Sequence, residues 1–144
     1  PGVGRPRLAR TCGRVGGPAG RERRGGRPSA DSLRAAALIT GIYDLSPVPR
    51  LPVQAEVRLL AKDVAALSPL NLPIASKAKC LVAVGADEPP LWIEQSQRYH
   101  EKLRAADVTS DLMLVPGRHH FSITRDLTDG RSMLSRAVSG LLSA

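Results

Sequence analysis

The sequence predicts an α/β domain, about three parallel strands with flanking helices, preceded by a disordered basic tail. Three observations carry this. The runs LRAAALIT, KCLVAVG and SDLMLV have the length and aliphatic content of buried strands. Stretches of helical period stand between and after them, and strands alternating with helices imply crossovers and a parallel sheet. The first thirty residues differ in composition from the rest of the chain.

Residues 1–28 read PGVGRPRLARTCGRVGGPAGRERRGGRP, a Gly, Arg and Pro text without apolar periodicity. Such a segment cannot bury enough surface to offset chain entropy, so 1–30 is expected to be disordered and 31–144 to form the domain. Leu33–Thr40 is the first strand, followed by Gly41 and the loop IYDLSPVPR. VQAEVRLLAKDVAAL places Val57, Leu60, Val64 and Leu67 at helical spacing, which predicts one or two short helices. SPLNLP interrupts that pattern, and Lys79–Gly85 is the second strand. LWIEQSQRYHEKLRAA sets Trp92, Tyr99 and Leu103 along one helix face, with Ser96 among them. The third strand, LMLV at Leu112–Val115, is stopped by Pro116 and Gly117. A final helix over about 132–142 uses Leu134, Val138 and Leu141 as its stripe.

With 42% hydrophobic but 3% aromatic residues, the core must be built from Leu, Val, Ile and Ala. No apolar run approaches the ~20 residues of a membrane span. No signal-peptide text is present, so the expected setting is cytoplasmic, without membrane association. The two cysteines, Cys12 and Cys80, give neither a disulfide framework nor metal spacing, and no metal or cofactor is expected. Cys80 sits inside a strand pattern and reads as a buried thiol. The net charge is +8, but residues 1–28 hold eight Arg and one Glu, hence +7, which leaves +1 for the rest. The basic tail could bind nucleic acid electrostatically. It lacks aromatic residues for base stacking, however, and nucleic acid is not the expected partner.

Each strand ends in a loop of polar residues: Tyr43 and Asp44 after the first, Asp87 and Glu88 after the second, His119 and His120 after the third. In a parallel sheet these ends share one edge, where ligands bind. A carboxylate and a histidine there could form the base–orienter pair of a nucleophilic hydrolase, a signal that position alone carries weakly. The competing reading is that the acids are solvated or serve the next helix through its dipole, and that the histidines are surface residues.

The ordered stretches LRAAALITGIYDLSPV, AALSPLNLP, VAVGADEPPLWIEQSQRYHEKL and VPGRHHFSITRDL together resemble the C-terminal part of α/β-hydrolases, nearest the arylformamidase (kynurenine formamidase)-like and esterase branch. The resemblance covers about residues 31–144. It implies a triad in the order Ser, acid, His. Its HF motif selects His120, with His119 and Phe121 as neighbours and Phe121 packing beneath the loop. The acid three residues after the strand-end Gly85 is Glu88, with Asp87 as the alternative, and Asp44 becomes a loop organiser. No serine stands in the G-x-S-x-G context that the family uses for its nucleophile, and Cys12 is no substitute. The chain is therefore expected to be a C-terminal fragment, inactive alone, of an enzyme for a small ester or formamide. The Arg/Gly text before it could be an out-of-frame reading. Two other readings stand beside this one, a non-catalytic interaction module and a non-specific nucleic-acid binder; the oligomeric state is left open.

Overall fold

The structure, a computed structural model, describes residues 32–143. The segment 1–30 and Cys12 lie outside the described residues. Three strands, β1 (Ala35–Ile39), β2 (Lys79–Gly85) and β3 (Ser110–Val115), form a parallel sheet in the order β1-β2-β3. Four helices accompany them: α1 (Gln54–Val57), α2 (Ala61–Leu67), α3 (Pro90–Ala105) and α4 (Met133–Ser143). The register runs from Ala35 opposite Lys79 to Ile39 opposite Ala83. On the other side it runs from Cys80 opposite Ser110 to Gly85 opposite Val115.

The period of two along each strand sorts the core into two layers. Cys80 and Val82 point to one face, where they meet Tyr43, Leu103 and Val108 beneath α3. Leu81, Ala83 and Val115 point to the other, against Ile123 and Leu134 beneath α4. β2 is covered on both faces, so Val82, Ala83 and Val84 are fully buried, as its unbroken apolar text requires. The two tyrosines stack across the α3 layer, Tyr43 on Tyr99, with centroids 4.2 Å apart and planes 7° from parallel. α4 begins after Ser132, whose Oγ accepts from the Ser135 backbone N–H at 2.9 Å, an N-cap bond.

The segment between β1 and β2 departs from its predicted stripe. Arg58 adopts a left-handed conformation (φ 50) at the end of α1 and rotates the chain out of helical phase. Leu59 is buried instead, while Leu60 and Leu67, two members of the expected stripe, are exposed. The Gln54 side chain closes this break: its Nε2 donates to Leu59 O and its Oε1 accepts from Leu59 N.

Candidate active site

The carboxyl ends of β2 and β3 are bound together by their backbones. Ala86 N donates to Val115 O and Asp87 N to Arg118 O, each at 3.0 Å. At Gly85 the approach is too close for any side chain, since a Cβ there would lie 2.1 Å from Arg118 O. Glycine at the strand end thus brings the loop after β3 onto the loop after β2. Glu88 folds back over the same residue: its N–H donates to Gly85 O, and its Oε1 accepts from Gly85 N at 3.0 Å.

The other oxygen of that carboxylate, Oε2, faces His120 Nδ1 at 3.2 Å. The Glu88 side chain is 1% exposed and that of His120 33%, so a buried acid meets a half-exposed imidazole. A carboxylate on Nδ1 holds the ring proton there and leaves Nε2 as the basic nitrogen. Glu88 makes no side-chain cap on α3, which begins with Pro89 and Pro90 and has no such bond.

The remaining residues singled out from the sequence make no polar contact with the pair through their side chains among the described residues. Asp87 is exposed, with its backbone N–H on Arg118. His119 is exposed and turned into its own loop, its Nδ1 accepting from Phe121 N at 3.3 Å and its N–H donating to Ser122 Oγ at 2.9 Å. Phe121 does not pack beneath the loop as expected. It is 78% exposed and meets the two imidazoles edge-on, at 5.2 Å from His120 and 6.4 Å from His119. The reason is that Ile123, two residues on and fully buried, occupies the space under the loop.

The loop after β1 leaves the strand through Thr40, which has a positive φ of 48, a costly conformation for a β-branched residue. Asp44 organises the turn beyond it: its Oδ1 accepts from Ser46 N at 2.9 Å, and this bond, with burial opposing it, holds its carboxyl below the usual carboxylate range. Gln95 on α3, 1% exposed, anchors the loop. Its Oε1 accepts from Tyr43 N at 3.0 Å and Asp44 N at 2.9 Å. Ser68 Oγ accepts from Leu45 N at 3.0 Å, so the SP motif holds the GIYDL motif. Gln95 was not singled out from the sequence, yet a signal existed: with Ser96 it is polar at positions three and four after Trp92, on the buried face of α3. Arg118 and Asp126, paired at 2.8 Å within the histidine loop, had no such signal.

Among the described residues no group of His, Cys, Asp and Glu could hold a metal ion, and no helix is long and apolar enough to cross a membrane. Surface depressions lined by Ser32, Arg34, Lys79 and Leu141, and by Asp111 and Met113, lie at the amino edge of the sheet, away from His120.

Comparison with known proteins agrees with this α/β architecture at the level of the fold. A crystal structure of a candidate thioesterase from Silicibacter sp. superposes with a TM-score of 0.61 at 24% identity, over 76% of this chain and 40% of that one. More particularly, the chain is 29% identical over 111 residues to a kynurenine formamidase of Danio rerio, and 29% identical over 112 residues to one of Salmo salar. Each match covers 74% of this chain and 38% of the relative, so the chain spans well under half the length of these proteins. No family model matches. Together the likenesses support an α/β-hydrolase-like, arylformamidase-type relationship at low identity.

Proposed function

We propose that this chain supplies the histidine and the acid of a Ser–acid–His hydrolase acting on an ester or formamide bond. The observation that carries the reading is the pairing of buried Glu88 Oε2 with His120 Nδ1 at 3.2 Å, on the carboxyl edge of a parallel sheet. Its relatives support hydrolase chemistry. In this reaction His120 Nε2 takes the proton of a serine hydroxyl as that oxygen adds to the substrate carbonyl. The tetrahedral intermediate collapses, and Nε2–H returns the proton to the departing amine or alcohol. Water then enters by the same route and releases the carboxylic acid. Glu88 accepts from Nδ1–H throughout and stabilises the imidazolium. Gly85 N–H fixes the second oxygen of Glu88 and so aims the first.

Ser122 and Ser96 are engaged within their own loop and helix. Ser122 Oγ lies on His119 N, and Ser96 Oγ donates to Trp92 O within α3. The nucleophile is therefore assigned to none of them, and the chain alone is expected to be inactive. The test mixes the full chain with a separately expressed amino-terminal portion of a kynurenine formamidase containing its G-x-S-x-G serine. The readout is hydrolysis of an aryl formamide and an aryl ester. The expected result is turnover by the mixture, absent from either part and abolished by His120→Ala, with His119→Ala milder. Equal losses from the two substitutions, or turnover indifferent to His120, would refute the assignment.

A further inference from the structure

We propose that Arg118 and Asp126 are positioning residues for His120, forming a clamp that sets the imidazole against Glu88; this rests on the reading of the pair given above. His120 has few other constraints among the described residues. Its ring is one-third exposed, its polar contact is the 3.2 Å approach to Glu88, and neighbouring Phe121 offers a ring edge. The direction of the ring is therefore set by the backbone of the loop that carries it.

That backbone is fixed at Arg118. Its carbonyl sits on Gly85 and accepts from Asp87 N, which ties it to the turn bearing Glu88. Its guanidinium reaches across the loop, Nε donating to Asp126 Oδ1 at 2.8 Å, while Nη1 donates to the Gly117 carbonyl at 3.2 Å. Asp126 is 8% exposed and is itself held. Its carbonyl accepts from Ser132 Oγ at 2.7 Å and Ser135 Oγ at 2.8 Å, at the start of α4. Ile123 and Leu134, both fully buried, pack the same junction. The ion pair thus encloses His119, His120 and Phe121 in a loop whose two ends are tied to the acid's turn and to a packed helix. Most surface ion pairs contribute little. This one differs in that its acid is nearly buried and charge-assisted, and what it constrains is an otherwise loosely held imidazole.

The test reads the tautomer of His120 by imidazole 15N NMR in the full chain, at a pH above the ordinary histidine pKa of about 6.5. The unsubstituted protein is expected to show predominantly Nδ1–H at His120. Asp126→Asn and Arg118→Met are expected to turn that into the minor form while the backbone amide pattern of β2 stays in place, and Arg118→Lys, which keeps the charge, to retain more of it than Arg118→Met. If the unsubstituted protein lacks the Nδ1–H form, the Glu88–His120 pairing itself fails. If it has that form and both variants retain it, the pairing stands and the clamp is overturned. Loss of the β2 pattern in both variants would make the ion pair a staple of the fold and would equally overturn the positioning role.

Discussion

Gly85 shows how one atom decides the geometry of the pair. The carbonyl of Arg118 occupies the place of its missing Cβ. Gly85→Ala must push the histidine loop away from β2, and overpacking of this kind costs about 1–3 kcal/mol. The expected outcome is that loss in urea unfolding, together with loss of the His120 Nδ1–H signal, because the loop that moves is the one carrying the imidazole. An unchanged tautomer in Gly85→Ala would show that the loop adapts. Tyr43 presents the opposite case. Its hydroxyl is buried without a hydrogen-bond partner among the described residues, and burial, with nearby Tyr99, Cys80 and Glu88, pushes its pKa well above the usual 10.0. A raised tyrosine pKa keeps the folded state protonated where the unfolded chain has released its proton, so stability falls as pH rises past about 10. Tyr43→Phe removes a hydroxyl that was desolvated without return and keeps the stack on Tyr99. It is expected to be neutral or stabilising near neutral pH, and to abolish the part of the alkaline loss that comes from this residue. Chemical unfolding of both proteins at pH values on either side of 10 measures it.

At the scale of elements, strands were more legible than helices. KCLVAVG reads as buried on both faces and is so, because a central parallel strand needs no alternation. The strand expected from Leu33 starts at Ala35 in the fold, a two-residue difference at an element boundary. The stripe Val57, Leu60, Val64, Leu67 failed because one left-handed residue, Arg58, shifts the phase, and no residue preference announces a positive φ at an arginine. In α3 the apolar spacing found the right face but not its purpose: Gln95 lies on it to satisfy two backbone N–H groups of another loop, a long-range demand invisible to local period. The edge strand makes a further expectation. Among the described residues β1 reads AAALI, pairs on one side only with β2, and carries no charge, proline or bulge to deter a second strand. Ala37, its exposed central residue, stands opposite buried Leu81 and presents its own side chain at the surface. Such an edge is expected to give concentration-dependent self-association in light scattering, and Ala37→Lys to reduce it markedly; a chain that stays monomeric across the series would refute this. Undiminished association would place the contact elsewhere, for instance at exposed Phe121.

For the whole molecule, topology made the edge that carries the candidate site legible, though not its members. Parallel strands put their carboxyl ends together, so the loops after LVAVG and LMLV share one edge; the resemblance, not the topology, picked Glu88 and His120 out of those loops, and the two face each other at 3.2 Å. What topology could not give was the support beneath them, Arg118 with Asp126 and the serines of α4, since those contacts depend on how a loop closes. Charge is legible at this scale too, and it makes the last expectation. Of the net +8, residues 1–28 carry +7, so the remainder is nearly neutral at +1. Non-specific affinity for DNA comes from phosphates neutralised, with log K falling by about 0.9 per contact for each decade of salt. The remainder sets its thirteen cations against twelve acids, which oppose phosphate contacts, and Lys102 is engaged locally: its Nζ donates to Leu70 O at 2.6 Å and also to the carbonyls of Pro69 and Leu72. Random-sequence duplex at low salt is therefore expected to bind the full chain with a steep salt slope and to bind residues 29–144 at least tenfold more weakly. The two proteins should converge as salt rises, because the tail's contribution is screened while the body contributes little at any concentration. Strong, salt-sensitive binding by residues 29–144 would mean that the domain itself presents an organised basic face, which its charge balance does not predict.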